Sequence, residues 1–358
     1  MAPPGRLGSV FAALGILLAL TGLIARGYHR EKRELAQRQF QMARLLAQQS
    51  RHDEAIEAYR AALSLSRQNP EYRLALTREL VETGRTAEAE RHLLELLAHD
   101  PVNGLVNLML ARIQSARGRP ADAATHYRRA VYGSWPEDQA SNRLEARFEL
   151  AALLLQGGAT RQVQAQLLQL GDEIPDDPQL KKRVARLFLA AKEPREARNL
   201  YREVLRKQSL DAEAYAGLGA AEFAMGEYTS ARNSLRTALR WNAHDSETRA
   251  LLDLVEAVLV LDPTLRRIGA AERLKRSRTL VERARAELVR CLGSYRQPVP
   301  SFATTALGVA GKSLEKRSPG ALEANLSAAE QLNAARMALC GTMEGDKALM
   351  LVLNKMAE

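Results

Sequence analysis

Apolar positions along the chain recur at the spacing of helices, not strands. No long stretch alternates with period two, and runs of apolar residues three and four apart are punctuated by Pro, Gly, Asn and Asp. The pattern also repeats over a longer distance. The stretch 212–245 places Tyr215, Leu218 and Gly219 on a first helix and Ala231, Leu235 and Ala238 on a second. One step of 34 residues back, 178–211 places Val184 and Ala185, then Ala197, Tyr201 and Val204. A further step, 144–177, places Leu150 and Ala151, then Val163, Leu167 and Leu170. Three more units, 36–69, 70–103 and 104–137, begin at Ala36, Pro70 and Gly104, and the register breaks once, over an insertion at 138–143.

This spacing predicts antiparallel helix pairs. Their backbones approach closely only where side chains are small, and Ala43, Thr77, Ala111, Ala151, Ala185 and Gly219 occupy one such position. Ala55, Ala89, Ala123, Val163, Ala197 and Ala231 occupy the facing one, while Tyr59, Leu93, Tyr127, Leu167, Tyr201 and Leu235 fill the space between units. A single hairpin cannot bury its apolar faces, so neighbouring pairs must stack.

With these residues at these positions, 36–245 resembles six tetratricopeptide repeats. The resemblance implies an all-α fold, a right-handed superhelix of antiparallel helix pairs that binds a peptide or protein on its concave face. One family feature is weak here. The large aromatic near the start of each first helix survives only as Tyr215, with Gln39, Arg73, Asn107, Arg147 and Lys181 elsewhere. First helices of the early repeats are therefore expected to pack less tightly at that end.

In such repeats the fifth and ninth positions of the first helix face the groove, four apart and so on one helix face. Here they are Phe40 and Arg44, Leu74 and Arg78, Leu108 and Arg112, Phe148 and Ala152, Lys182 and Arg186, and Ala216 and Ala220. A ladder of apolar and guanidinium groups suits a partner protein or peptide that is acidic with apolar anchors, because the Arg fork pairs carboxylates bidentately. The competing reading pairs each Arg with a scaffold carboxylate such as Glu79 or Glu82 and leaves no net positive groove. At the insertion, Trp135 beside Tyr132 is either an exposed contact point or packed against the next repeat.

The first residues differ from the rest. After a tail at 1–6, the stretch 7–25 reads LGSVFAALGILLALTGLIA without a charge. At 1.5 Å per residue it reaches about 28 Å, close to the hydrocarbon thickness of a bilayer. It is expected to be an N-terminal single transmembrane helix, retained because LIARG makes a poor cleavage site for the alternative, a signal peptide. A basic juxtamembrane segment, 26–35, follows. Its Arg26, Arg30, Lys32 and Arg33 would place the body in the cytoplasm by the positive-inside rule, which weakens for a long translocated domain.

After the repeats, 246–262 is expected to cap the open apolar end, with Asp262 capping the next helix and Pro263 at its first position. Residues 263–358 are read as a C-terminal helical bundle of four helices, near 264–292, 301–316, 319–340 and 343–357. The first is strongly basic and carries much of the chain's net charge of +10. Nucleic acid is not an expected partner, since no aromatic platform accompanies these charges. Cys291 and Cys340 each end a helix, and up-down-up packing would bring them together as a disulfide; two unlinked thiols are the alternative. A bond requires an oxidising compartment. It tips the expected location to a bacterial inner-membrane protein with a periplasmic body, the cytoplasm being the other option.

Residues 306–313, ALGVAGKS, approach a phosphate loop, but Ala306 replaces its first Gly and no buried strand precedes it. Phe302, Ala306, Val309, Ala310 and Leu314 instead fit one helix face, with a kink or close contact expected at Gly308 and Gly311. No catalytic motif, metal-ligand spacing, cofactor or small-molecule substrate is indicated. The expected function is a non-enzymatic, membrane-anchored scaffold for assembling cell-envelope complexes. The alternatives are a periplasmic chaperone-like assembly factor and, from another class, a nucleotide-dependent enzyme using 306–313.

Overall fold

The computed structural model describes residues 4–136, 139–266, 268–317, 320–341 and 345–357, with the side chains of 4–20, 22, 24, 140, 160 and 357 left aside. Among these residues there are seventeen helices and no strand. The start of the first helix in a pair is set by one repeated position. Asn69, Asn103, Asp177 and Asp211 each accept, through a side-chain oxygen, a backbone N–H of the following turn, and Asp245 does the same for the helix after the repeats. These side chains satisfy donors that a helix N-terminus otherwise leaves unpaired. In the fourth repeat the position is Arg143, which cannot cap, and that helix runs back through it to Ala140.

The turn inside each pair is set by a second repeated position. Gly84, Gly118, Gly158 and Gly226 adopt φ of +74°, +70°, +68° and +74°, and the equivalent Ser50 and Lys192 adopt +59° and +62°. That left-handed conformation suits glycine and strains a side chain.

The chain divides into two units, 1–159 and 160–358. The N-terminal unit holds α1 (Pro4–Gln48), α2 (His52–Leu65), α3 (Pro70–Glu82), α4 (Thr86–His99), α5 (Gly104–Ala116), α6 (Pro120–Tyr132) and α7 (Ala140–Gln156). The C-terminal unit holds α8 (Thr160–Glu173), α9 (Pro178–Ala190), α10 (Pro194–Lys207), α11 (Ala212–Ala224), α12 (Tyr228–Trp241), α13 (Ser246–Leu261), α14 (Ala270–Ser294), α15 (Ser301–Glu315), α16 (Ala321–Cys340) and α17 (Lys347–Ala357). All eighteen small or large repeat positions named above are buried. At Gly219 a Cβ would meet Leu235 Cγ at 2.6 Å, which explains the glycine there.

The expected membrane anchor over 7–25 is corrected. No helix among the described residues is long and apolar enough to cross a membrane. The stretch belongs to α1, which runs unbroken into the first repeat, and most of its own side chains lie outside the described residues. From residue 26 the helix carries Arg26, Arg30, Lys32 and Arg33. The inner-membrane localisation and the membrane as a partner rested on that anchor and fall with it.

At Arg73, Asn107 and Lys181 the starts of the first helices are filled by polar pairs. Asn107 is fully buried, donates to the Pro101 and Asn103 carbonyls at 3.2 and 2.9 Å, and bonds His126 Nδ1 at 3.0 Å. Arg73 pairs with Glu95 and donates to His92 Nδ1 at 3.4 Å. Lys181 bridges Asp176 and Glu203, both at 2.8 Å. A second-helix partner in each case replaces the stacking an aromatic would give.

The C-terminal helices share one core with the sixth repeat: Leu235, Leu252, Val255, Val258, Leu280, Leu288, Leu332, Leu349 and Val352 all belong to it. Asp262 does not cap a helix at 264. Fully buried, it accepts from Thr264 N–H at 2.7 Å and from Lys355 Nζ at 2.6 Å, which ties α13 to α17, and α14 begins only at Ala270. Arg276 Nη1 reaches back to the carbonyls of Leu259 and Asp262 at 2.5 and 3.2 Å. ALGVAGKS lies within the continuous helix α15, with Ala303, Ala306, Ala310 and Ser313 buried and Phe302 exposed. A Cβ at Gly308 or Gly311 would meet nothing within 4 Å, so the expected close contact there is absent. Cys291 and Cys340, at the ends of α14 and α16, are joined as a disulfide with Cα atoms 6.1 Å apart.

Candidate peptide-binding site

In the N-terminal unit the fifth positions serve mainly the core. Phe40 lies 4.6 Å from the ring of Tyr72 and 5.6 Å from that of Tyr59, and Phe40, Leu108 and Phe148 are all buried. Leu74 alone of the four is half-buried. The three arginines at the ninth position, Arg44, Arg78 and Arg112, are exposed, and they divide by partner.

Arg112 places Nε and Nη2 on Glu149 Oε1 at 3.1 and 2.6 Å, and Glu149 Oε2 accepts from Tyr127 Oη at 2.8 Å. Burial, and then Glu149, push the Tyr127 hydroxyl well above its usual range, so it stays a donor. Arg44 and Arg78 are different: neither has a hydrogen-bond partner among the described residues. Glu79, the suggested scaffold partner, instead bonds His52 Nδ1 at 2.8 Å.

Arg44 and Arg78 line one pocket of about 370 Å³ with Phe40, Tyr59, Leu74, Ala75, Glu71 and Glu79. Burial and Glu79 raise the pKa of Tyr59, and both guanidiniums oppose that rise, so their fields converge there. Glu71 and Leu74 also wall a neighbouring pocket of about 620 Å³, lined further by Pro70, Leu96 and Val106. The pair thus offers two free guanidiniums beside an apolar recess, with Glu71 on the shared wall.

In the C-terminal unit the corresponding cations are engaged. Lys182 is buried and donates to Asp211 and Glu213 at 2.9 and 2.5 Å, and Arg186 also pairs with Glu213. The segment just before the insertion folds back onto the start of its own repeat. Trp135 Nε1 donates to the Ala130 carbonyl at 2.7 Å, and its ring covers Gly104, where a Cβ would sit 2.2 Å from it. Gly104 N–H to Ser134 O, at 2.9 Å, and Ser134 N–H to Val102 O, at 2.7 Å, pin that segment. Tyr132 is exposed and lies 5.8 Å under the Arg147 guanidinium.

Glu149, Glu213 and the His52–Glu79 pair were not singled out from sequence. Arg112 and Glu149 are 37 residues apart and Arg186 and Glu213 are 27 apart, so no common spacing announces them.

The fold and these surfaces define a helical-repeat solenoid of the kind typical of protein–protein interaction scaffolds. The tetratricopeptide repeat family model matches residues 46–113 and 188–255. No curated protein matches the chain. Solved structures with a similar fold include PilW, a widely conserved type IV pilus biogenesis factor, at 15% identity, covering 61% of this chain and 98% of its own with a TM-score of 0.44. PilF from Pseudomonas aeruginosa gives 15% identity, 62% and 99% coverage and a TM-score of 0.45. The C-terminal part of a TPR repeat-containing protein from Cytophaga hutchinsonii gives 14%, 87% and 99%, and 0.47.

Proposed function

We propose that this chain is a non-enzymatic scaffold whose first two repeats hold a partner protein through an extended segment bearing a carboxylate and an aliphatic side chain. The carrying observation is that Arg44 and Arg78 share one pocket without hydrogen-bond partners among the described residues, while Arg112, Lys182 and Arg186 are already paired within the fold. The carboxylate meets the guanidiniums, and the side chain enters the recess of Leu74, Leu96 and Val106. Glu71 and Glu79 on the same walls limit how acidic that segment is, because a second carboxylate would face like charge. This reading narrows the ladder read from the sequence, with arginine in four of six repeats, to this pair.

Isothermal titration with a partner captured by the intact chain tests this. Arg44→Glu with Arg78→Glu should abolish binding, Arg112→Ala should change it little, and Glu71→Ala should tighten binding of an acidic segment. Equal affinity for the wild-type chain and the Arg44→Glu, Arg78→Glu variant would refute the assignment.

A further inference from the structure

The C-terminal unit holds a separate pocket of about 910 Å³, formed by α12, α13 and the segment leading into α14. Four guanidinium groups line it, those of Arg232, Arg236, Arg266 and Arg276, against the single lining carboxylate of Glu256. Leu259, Val260, Leu265 and Ile268 supply an aliphatic wall. The balance of charge is unlike that of the N-terminal pocket, where two carboxylates face two guanidiniums.

The four arginines are not equally committed. Arg276 clamps the C-terminal carbonyls of α13 and pairs with Glu272 at 2.7 Å, so it belongs to the scaffold. Arg236 places Nε and Nη2 on one oxygen of Glu256, at 3.0 and 2.6 Å, with both side chains well exposed. Exposed pairs of this kind gain little over solvation and yield to a competing anion. Arg232 Nε is shielded from solvent with no acceptor, and Arg266 has no partner among the described residues. Beside them Val260 is 69% exposed on a helix whose other valines, Val255 and Val258, are fully buried.

We propose that this pocket binds an acidic peptide segment in which carboxylates alternate with aliphatic side chains. The site is independent of the one in the first two repeats. The shielded, unpaired Arg232 Nε and the exposed guanidinium of Arg266 favour carboxylates, and the exposed Val260 beside Leu259 and Leu265 favours aliphatic contact. Glu256 and Thr229 on the wall give an acceptor and a hydroxyl that a peptide backbone can use. Among the described residues no aromatic side chain lines the pocket to stack a nucleobase.

The test uses the full-length chain carrying Arg44→Glu and Arg78→Glu, which removes the N-terminal site as a competitor. The probe is a fluorescein-labelled peptide of alternating Glu and Leu, followed by anisotropy at low salt. Binding should persist in this background and weaken by about tenfold or more when Arg232→Glu and Arg266→Glu are added, as expected for loss of charge-assisted hydrogen bonds. Val260→Asp, at an exposed position that leaves the core untouched, should weaken it similarly. Arg285→Glu, an exposed site elsewhere on α14, should have little effect. Unchanged affinity in the pocket variants, or an equal loss in Arg285→Glu, overturns the proposal. So does binding of phosphatidylglycerol vesicles without peptide binding, lost in the same variants. Failure of the N-terminal assignment would read differently, in the titration with the captured partner, as equal affinity with and without Arg44→Glu and Arg78→Glu, whatever this probe does.

Discussion

Asn325 Nδ2 donates to Ser277 Oγ across 3.0 Å, and both residues are fully buried between α16 and α14. At 1.5 Å per residue Ser277 lies about 21 Å before Cys291 and Asn325 about 22 Å before Cys340, so the two helices run parallel and in register. Ser277 keeps its own bond to the Leu274 carbonyl at 2.8 Å, and Asn325 Oδ1 has no partner among the described residues. Asn325→Ala therefore removes one hydrogen bond and one unsatisfied acceptor together. The expected cost is about 1 kcal/mol, read as a lower urea midpoint at unchanged slope. Asn325→Asp, which buries a charge at the same place, should cost more.

The other end of the same helix pair carries the Cys291–Cys340 bond, which spans a sequence separation of 49. On the chain-entropy estimate a bridge of that length stabilises by about 4 kcal/mol. Reductant should lower the denaturation midpoint of the wild-type chain and leave Cys291→Ser with Cys340→Ser unmoved. Mass spectrometry after alkylation should label two thiols only when reduction comes first. Labelling of the untreated native chain would contradict the bond.

Glycine replacements should differ in sign with position. Gly217, in α11, faces Tyr201 of the preceding repeat, and a Cβ there would lie 2.1 Å from the ring. Tyr201 is 2% exposed and has no room to yield, so Gly217→Ala should destabilise by about 1–3 kcal/mol despite the better helix former. Gly308→Ala and Gly311→Ala meet nothing within 4 Å and should stabilise by up to about 1 kcal/mol each. Lys192→Gly should also stabilise, since it relieves a φ of +62° at the position where four other repeats have glycine. Thermal melts of the four variants give the signs.

The sequence made the helix pairs readable because each small or large repeat position answers to one local constraint, close backbone crossing or filling between units. The capping series from Asn69 to Asp245 was equally open to inspection and explains why the fourth repeat, with Arg143, starts early. The site was less readable. Whether an arginine is free depends on a carboxylate from another helix, and Glu149 and Glu213 reach their partners at unrelated separations. The charge-free run at 7–25 misled for a different reason. Length and freedom from charge alone set that expectation, whereas the helix that holds the run is, among the described residues, not apolar enough over a spanning length.

Acid should weaken the N-terminal unit through two histidines at the same repeat position. Burial, above all other causes, lowers the pKa of both His92 and His126 below the ordinary 6.5; Arg73 adds to it at His92 and Arg129 at His126. Nearby carboxylates, Glu88 for His92 and Asp122 and Glu90 for His126, only partly oppose this. The unfolded chain then binds more protons than the folded one between the lowered pKa and 6.5. Stability is complete above that upper value and declines as pH falls through the window. Asp176 acts elsewhere on the scale. Lys181 and Lys207 hold its pKa at about 2, so its contribution is present above the ordinary 3.8 and is lost only as pH falls towards 2. Urea midpoints should therefore drop from neutral pH to about pH 5 in the wild-type chain. His126→Gln, which retains an amide partner for Asn107, should flatten that drop, and Asp176→Asn should leave it unchanged. An equally steep drop in His126→Gln would place the titrating group elsewhere.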